Sequence, residues 1–310
     1  MRREELARER EAIIGRHGHW SAQNIHLGDG VYTIAEGHIH AAERRVARTV
    51  QLVADIAGVP LSELRILDLG AYECAFAVEL AAQGAQVTAV EVREKHFTKG
   101  EFARRALDLE NLTIVQGDIR DFDGLVSGDF DVVLCLGLIY HLGAEDALAL
   151  LKQIAARTRR FALVEGQISL SRPGSVTIDG TDYHGRLYPE NENDPGSGVA
   201  MSHAFWFTRQ SLLRALHVAG FRTVAEVHLP FIPEVIAFED HVTMLAVKGG
   251  PVPLRAVPED PAWNNDAMPE RWTPLAHPTQ GVRYRIREKV ARMRGGGMAA
   301  VFPSAPPDGG

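Results

Sequence analysis

Short β-rich runs alternate with longer helical runs from Arg65 onward, and this alternation constrains the fold more than any other feature of the sequence. The runs are RILDLG, FAVELAAQG, QVTAVEV, KHFTKGEFARRALDLE and LTIVQGD, then FDVVLCLGLIY, a helix over Ala144 to Thr158, and FALVEG. A helical run, TRQSLLRALHVAG, and two further β-rich runs, FRTVAEVHL and VTMLAVKG, complete the region. Strands and helices that alternate in this way form βαβ units, in which the strands are parallel and the helices cover the sheet. We therefore expect a doubly wound α/β fold.

The segments on either side of this region divide the chain into three parts. A charged amphipathic helix is expected up to Arg16, followed by a turn-rich stretch and a second helix beginning near Glu36. The end of the chain is Pro-rich, with a basic helix over Val282 to Arg294 and a Gly/Pro tail that we expect to be disordered. The parts are an N-terminal helical cap segment (1–60), the α/β domain (61–249) and a C-terminal extension (250–310). Within the domain, the polar segment 169–203 predicts a loop that serves as a substrate lid.

Composition and charge narrow the possible partners. The sequence has 45% hydrophobic and 24% charged residues and a densely charged start, which predicts a cytoplasmic protein with neither a secretory signal nor a membrane span. Two cysteines, Cys74 and Cys135, are too few for a disulfide framework or a structural zinc site, and no metal is expected. The net charge of -7 favours a small-molecule partner over a nucleic acid, because phosphate binding requires Lys and Arg. A homo-oligomer remains open.

The turn from Leu67 to Cys74 is the most informative segment, because it follows a strand and precedes a helix. Rossmann arrangements bind cofactors at this place. Dinucleotide sites need G-x-G-x-x-G, so that the backbone can approach a pyrophosphate, whereas this turn keeps only Gly70 and has Tyr72 where a bare backbone is required. A cofactor without phosphates tolerates that side chain. S-adenosylmethionine is such a cofactor, and Asp68 can bind its ammonium group; a glycine turn of an unrelated α/β domain is the alternative.

The ends of the next three strands carry further candidate residues. Glu91 ends the second strand at the separation from the turn at which an acidic side chain reaches ribose hydroxyls. Asp118 closes the third strand, where it either accepts a hydrogen bond from an adenine amino group or caps a turn. The fourth strand ends at Cys135 to Gly137. Since parallel strands end at one edge of a sheet, these residues predict a single site.

From Arg65 to about Gly166 the chain resembles class I S-adenosylmethionine-dependent methyltransferases, in particular those with a G-x-x-Y-H-L element. Here the element reads Gly137-Leu138-Ile139-Tyr140-His141-Leu142, and the resemblance extends to Phe205-Trp206-Phe207-Thr208 and Ala219-Gly220-Phe221. It implies a Rossmann-like, mostly parallel seven-stranded sheet with an antiparallel last strand. Tyr72 and Cys74 depart from the family, in which many members have glycine. The group includes enzymes similar to tRNA wobble-uridine methyltransferases and many natural-product methyltransferases.

The resemblance also implies S-adenosylmethionine as the cofactor and assigns positions to it. Asp68 and Gly70 would hold the methionine moiety, Glu91 the ribose, and Asp118 with Ile119 the adenine. The remaining cofactor-binding residues are Ala71, Tyr72, Val92, and the backbone of Cys135, Leu136 and Gly137 near the sulfonium.

Two residues are candidates for a base that removes a proton from the acceptor. His141 follows the fourth strand, beside the expected methyl position, and histidine titrates near neutral pH; the alternative is a structural histidine that bonds a loop or caps a helix. Glu165 ends the fifth strand and is the second candidate, or else a helix-capping partner. The expected substrate contacts are Tyr140, Tyr183, Tyr188, His203 and Trp206.

Three functional classes follow from these observations. A methyltransferase acting on a small molecule of secondary metabolism is favoured, with O-, N- and C-methylation all open. A tRNA wobble-uridine-type methyltransferase is the first alternative, supported by the basic run over Val282 to Arg294. A non-catalytic or NAD-binding Rossmann protein is the second, opposed by Tyr72.

Overall fold

A seven-stranded sheet with helices on both faces forms the centre of the protein. The computed structural model describes residues 3–34, 41–190, 202–227 and 240–250. The strands among these residues are β1 (Arg65–Leu69), β2 (Gln86–Glu91), β3 (Leu112–Gln116), β4 (Phe130–Leu136), β5 (Thr158–Gln167), β6 (Gly174–Ile178), β7 (Thr181–Pro189), β8 (His203–Phe207), β9 (Thr223–Val227) and β10 (His241–Val247). The α-helices are α1 (Arg3–His17), α2 (Ala41–Ala57), α3 (Ala75–Ala82), α4 (Glu94–Ala106), α5 (Phe122–Leu125), α6 (Ala144–Arg157) and α7 (Arg209–Ala219).

The strand order of the large sheet is β3-β2-β1-β4-β5-β10-β9. The pairs among β1 to β5 are parallel, and β10 runs antiparallel to both β5 and β9. This arrangement confirms the expected doubly wound, mostly parallel sheet with an antiparallel last strand. Strands β2 and β3 follow one another outward on one side of β1, and β4 and β5 follow on its other side. The carboxyl ends of β1 and β4 therefore form the crevice in which such folds bind ligands.

Helices bury both faces of the sheet, which explains why its central strands are apolar throughout. On one face, α1 to α4 pack against strand residues such as Ile66 and Val132. On the other face, α5 to α7 pack against residues such as Leu67 and Val133. Neighbouring residues of one strand thus belong to different cores, because successive side chains point to opposite faces.

A second sheet of three antiparallel strands, β6-β7-β8, occupies much of the segment predicted as a loop. The loop prediction is wrong for residues 174–178 and 181–189, because polar composition hid a two-residue alternation. Tyr183 and Gly185 are buried while Asp182 is exposed, and β7 gains its apolar partner only by pairing with β8. Residues 191–201 of the expected lid lie outside the described residues.

The helices predicted from periodicity are present where the chain is described. The N-terminal helix is α1, and the helices expected at Ala144 and before Gly220 are α6 and α7. The expected start of the second helix near Glu36 and the whole segment 251–310, with its basic run, lie outside the described residues. All the described residues belong to one compact unit, which spans 1–255. None of the helices described is long and apolar enough to cross a bilayer.

Candidate active site

The turn between β1 and α3 has a backbone conformation that glycine alone adopts without strain. Gly70, Tyr72 and Cys74 have φ angles of 66°, 55° and 66°. Because a side chain in this left-handed region is sterically disfavoured, Tyr72 and Cys74 must be held by their surroundings. The N–H groups of Gly70 and Ala71 donate to the carbonyl oxygen of Val90, at 2.9 and 3.0 Å. These two bonds fix the start of the turn against the end of β2.

Space for the Cys74 side chain comes from the neighbouring helix. A Cβ atom added at Gly100 of α4 would lie only 2.4 Å from Cys74 Sγ. Because Gly100 has no side chain, the space beside α4 can hold the Cys74 side chain. Burial raises the pKa of the Cys74 thiol well above its ordinary value, so the thiol stays protonated.

Glu91 holds the second half of the turn from the end of β2. One carboxylate oxygen accepts the N–H of Tyr72 at 2.8 Å, and the other accepts the N–H of Arg93 at 2.8 Å. Burial raises the pKa of Glu91, although these hydrogen bonds oppose the rise. A carboxylate oxygen has two lone pairs, so each oxygen can accept one further hydroxyl. Val92 follows it, half-buried, at the same sheet edge.

Glu73 joins the turn to the N-terminal segment, a contact that the sequence did not predict. Its buried carboxylate lies 3.0 Å from Nζ of Lys99, which is also buried. It accepts three consecutive backbone N–H groups, those of Ser21, Ala22 and Gln23, at 2.9, 3.2 and 3.1 Å. The N-terminal segment is thus part of the wall of the site.

Two more hydrogen bonds strengthen this junction. The side-chain oxygen of Gln23 accepts the N–H of Ala75, the first residue of α3, at 2.8 Å. The hydroxyl of Tyr72 lies 2.8 Å from Oγ of Ser21. Gln23, from the N-terminal segment, therefore caps the start of α3 in place of a side chain of the turn.

Asp68 is a buried carboxylate that the described residues leave partly unsatisfied. Its Oδ2 atom has no hydrogen-bond partner among those residues. Burial, and secondarily the charge of Glu91, raise the pKa of Asp68 to about 7, while Arg45 and the backbone of Ala77 act in the opposite direction. Buried polar atoms are almost always hydrogen-bonded, so this oxygen marks a place for a ligand donor.

Arg45 of α2 reaches the end of β5, a contact that the sequence did not predict. Its guanidinium forms an ion pair with Glu165, to which Nε donates at 3.1 Å, and Thr243 Oγ1 donates to the same carboxylate at 3.2 Å. His241 Nε2 lies 3.5 Å from Glu165 Oε1. Burial lowers the pKa of His241; Glu165 raises it and Arg45 lowers it. Glu165, a predicted base, is thus held within a charged network at the site's edge.

The ends of β3 and β4 complete the expected cofactor side. Asp118 accepts the N–H of Arg120 at 2.9 Å and pairs with its guanidinium, so it caps the turn at Ile119–Asp121, as its alternative interpretation stated. Arg120 lowers the pKa of Asp118 through these bonds.

The end of β4 presents backbone to the same edge. Gly137 has a φ of 83° and donates its N–H to the carbonyl of Glu165 at 2.9 Å. Cys135 and Leu136 are buried before it, and burial raises the pKa of the Cys135 thiol to about 12. A Cβ added at Gly137 would lie 3.7 Å from Arg45 Nη2. Gly137 thus leaves the backbone open beside the Arg45 guanidinium.

Beyond β4, His141 is oriented by a carboxylate from the small sheet. Its Nδ1 atom lies 3.2 Å from both carboxylate oxygens of Glu190, which follows β7 and has a buried side chain. The sequence predicts Glu190 only as one residue of the polar segment 169–203. Histidine paired with a carboxylate in this way has a fixed ring orientation and leaves Nε2 for another partner.

Aromatic side chains surround this pair. Tyr140 packs on the His141 ring at 4.2 Å and meets Trp206 edge-on at 6.1 Å. Tyr188 stacks on Trp206 at 4.2 Å between ring centroids. Three of the expected substrate residues, Tyr140, Tyr188 and Trp206, therefore lie together beside His141. They form the acceptor face, which also includes Arg186, His141 and Glu190.

Tyr183 and His203 do not join the acceptor face. Tyr183 is fully buried against Phe207, and His203 begins β8 on the same side of the sheet as Phe205. Side chains of a strand alternate between faces, so these two residues point away from Trp206. The described residues contain no group of three or more His, Cys, Asp or Glu placed to hold a metal ion.

Comparisons with known proteins agree with this geometry. The profile of a methyltransferase domain matches residues 66–160, which run from β1 into β5. A search of curated protein sequences returns no match. The N-terminal domain of EvdMO1 in the presence of SAH and D-fucose is a similar structure, 27% identical, with a TM-score of 0.61 over 80% of this chain and 97% of that chain. The same domain with SAH bound is 24% identical, with a TM-score of 0.59 over 80% and 96%.

The matched segment contains the turn, Asp68, Glu91 and Gly137, the residues on which the resemblance was based. The methyltransferase match is inconsistent with the NAD-binding alternative, and S-adenosylmethionine is confirmed as the cofactor. The chain is a class I S-adenosylmethionine-dependent methyltransferase.

Proposed function

We propose that the protein methylates a hydroxyl group of a small, carbohydrate-like molecule, with His141 as the base. The observation that carries this proposal is the hydrogen-bonded pair of His141 and Glu190, at the same sheet edge as the β1–α3 turn. Following the resemblance to natural-product methyltransferases, we assign the acceptor to secondary metabolism. The tRNA alternative depends on the basic run at 282–294, which lies outside the described residues.

The residues of the turn fit the donor. When bound, S-adenosylmethionine supplies an electrophilic methyl group on a sulfonium. The unpartnered Oδ2 of Asp68 suits its ammonium group, and the free lone pairs of Glu91 suit the ribose hydroxyls. We assign Asp118 and Ile119 to the adenine, and Gly70 and Gly137 leave open backbone at the ends of β1 and β4. These assignments extend the resemblance residue by residue.

A hydroxyl acceptor requires a base at the site. A neutral alcohol becomes a good nucleophile only as its proton is transferred. With Nδ1–H donated to Glu190, the Nε2 atom of His141 is the proton acceptor, and the Glu190 carboxylate stabilises the imidazolium that forms. The site otherwise works by positioning, because methyl transfer is a direct displacement that requires alignment of two groups.

The aromatic side chains support a carbohydrate-like acceptor. Tyr140 and Tyr188 are half-buried, and Trp206 is buried beneath Tyr188. Flat aromatic faces pack well against the C–H faces of a sugar ring, while hydroxyls point to polar neighbours. The similar EvdMO1 domain was solved in the presence of D-fucose, which makes D-fucose and its glycosides the first acceptors to test.

The test combines methyl-labelled S-adenosylmethionine with D-fucose and simple D-fucosides. His141→Ala should lower kcat by about 10²–10⁴-fold, the usual contribution of a general base. Glu190→Gln should lower kcat less, and both variants should bind S-adenosylhomocysteine as the wild type does. His217→Ala, on the exposed side of α7, is the matched histidine control. Wild-type turnover in His141→Ala would rule out His141 as the base, and transfer only to amine or carbon acceptors would rule out the hydroxyl.

A further inference from the structure

Arg186 lies in the middle of the acceptor face with its guanidinium against aromatic rings. It sits on β7 opposite Trp206 of β8 in the strand register. Its guanidinium carbon is 4.2 Å from the Trp206 ring centroid and 5.7 Å from that of Tyr188. A cation packed on an aromatic face is stabilised by the ring. The N–H donors in its plane remain to be satisfied.

Those donors have no protein partner in the part of the chain that the structure describes. Arg186 makes no ion pair or hydrogen bond with any described residue, and its Nε atom is buried without a partner. Arg45, which is also half-buried, is by contrast paired with Glu165. Since buried donors are nearly always bonded, the acceptor for Nε lies outside the described residues, and a bound molecule at the acceptor face can supply it.

Nearby carboxylates are already engaged elsewhere. Glu190 is bonded to His141, and Asp182 accepts the hydroxyl of Thr177 at 2.6 Å. A planar guanidinium fork matches the two oxygens of a carboxylate or phosphate better than it matches a neutral hydroxyl. Among the residues that the structure describes, the charge of Arg186 therefore has no counter-ion on the face that receives the acceptor.

We propose that the acceptor is anionic, with a carboxylate or phosphate group bound by Arg186 while its hydroxyl faces His141. This inference rests on the proposed function and defines its substrate class. Arg186, Tyr188 and Glu190 alternate along one face of the chain at β7. The anion therefore binds on one side of Tyr188 and the reacting hydroxyl lies on the other, so the methylated position is not adjacent to the charged group.

Three sugars that differ at one carbon test the proposal. D-galacturonate has a carboxylate and D-galactose 6-phosphate a phosphate where D-fucose has a methyl group. Binding is measured by calorimetry on the protein saturated with S-adenosylhomocysteine, so that no methyl transfer is needed. We expect at least one anionic sugar to bind about tenfold or more tightly than D-fucose, as a charge-assisted hydrogen bond provides. Comparison of the affinities for the two anions identifies which group Arg186 binds.

Variants assign the preference to this residue. Within each variant the affinity for the anionic sugar is divided by the affinity for D-fucose. Arg186→Gln should bring this ratio close to one, while Arg186→Lys should retain part of the preference because the charge remains without the planar fork. Equal affinity of the wild type for the three sugars, or no measurable binding of either anion, would overturn the proposal even if no variant folds. A preference that persists in Arg186→Gln would overturn it as well.

The outcome is separable from that of the proposed function. Methyl transfer to neutral D-fucose without any charge preference leaves the hydroxyl methyltransferase in place and rejects the anionic acceptor. A charge preference that depends on Arg186, without transfer to any hydroxyl, supports the anion site and rejects His141-dependent hydroxyl methylation.

Discussion

The carboxylate of Glu73 lies 3.0 Å from Nζ of Lys99, with both side chains buried, and it also accepts backbone N–H groups of the N-terminal segment. Glu73 is flanked by Tyr72 and Cys74, the two side-chain-bearing residues of the turn with positive φ. One buried ion pair therefore fixes the cofactor turn and the N-terminal segment to each other. The stability of the domain and the shape of the cofactor site are coupled through it.

Glu73→Gln should destabilise the protein and weaken cofactor binding together. The change leaves the buried ammonium of Lys99 without its counter-ion, which costs about 3–5 kcal/mol when one partner of a buried pair is removed. Urea unfolding gives the free energy of unfolding, and calorimetry gives the affinity for S-adenosylhomocysteine. Lys152→Ala, which breaks the exposed pair of Lys152 and Asp179, is the control and should change neither. An unchanged unfolding midpoint in Glu73→Gln would show that the pair is not structural.

Gly100→Ala should disrupt the packing of α4 on the turn, and Cys74→Gly should rescue it. The added methyl group would lie 2.4 Å from Cys74 Sγ, and overpacking of this kind costs about 1–3 kcal/mol. Cys74→Gly removes the clashing atoms at a position whose φ suits glycine. A double-mutant cycle of unfolding free energies measures the coupling between the two changes. Additive effects, with no rescue in the double variant, would mean that Gly100 does not make room for Cys74.

Cofactor affinity should increase with pH through about 7 because of Asp68. Its pKa in the ligand-free protein is about 7, compared with an ordinary value of 3.8. The ammonium of the cofactor favours the ionised carboxylate, so binding below pH 7 must displace a proton, and calorimetry in buffers of different ionisation enthalpy should detect that proton. Asp68→Asn should bind more weakly and lose this pH dependence; an identical pH profile in Asp68→Asn would assign it to another group.

The raised pKa of Asp68 also predicts that the free energy of unfolding of the ligand-free protein decreases as the pH rises. Between pH 3.8 and about 7 the folded protein keeps a proton on Asp68 that the unfolded chain has released. The contribution of Asp68 therefore favours the folded state at low pH and is lost as pH rises through this window. The difference in unfolding free energy between wild type and Asp68→Asn, followed against pH, isolates this contribution. A difference that does not vary with pH would contradict the raised pKa.

Arg45→Ala should raise the pKa of His241. Arg45 lowers that pKa and Glu165 raises it, so removal of the guanidinium leaves the histidine beside an uncompensated carboxylate. Glu165→Gln should lower the pKa instead. Both shifts can be followed by NMR titration of the His241 ring protons in the wild type and the two variants. Shifts of the same sign in the two variants would contradict the network.

The fold was predictable because its signal is local. Runs such as RILDLG and FALVEG are recognisable as buried strands from their own residues. Their order, with helices between them, is sufficient to predict a doubly wound sheet. The small sheet was missed for the corresponding reason. The polar run at 181–189 contains little of its own hydrophobic pattern and becomes a strand by pairing with Phe205 and Phe207, which lie beyond the end of that run.

Sequence alone determined the turn at Gly70, the acidic residues that follow it at successive strand ends, and the family. These features depend on spacing along the chain, which the parallel sheet converts into proximity at one edge. Only the tertiary structure decided which side chains complete the site. Arg45 meets Glu165 across 120 positions and His141 meets Glu190 across 49, and contacts over such separations leave no periodic trace in one sequence. Arg186, whose Nε has no partner among the described residues, belongs to the same class, because only the positions of its neighbours reveal a missing partner.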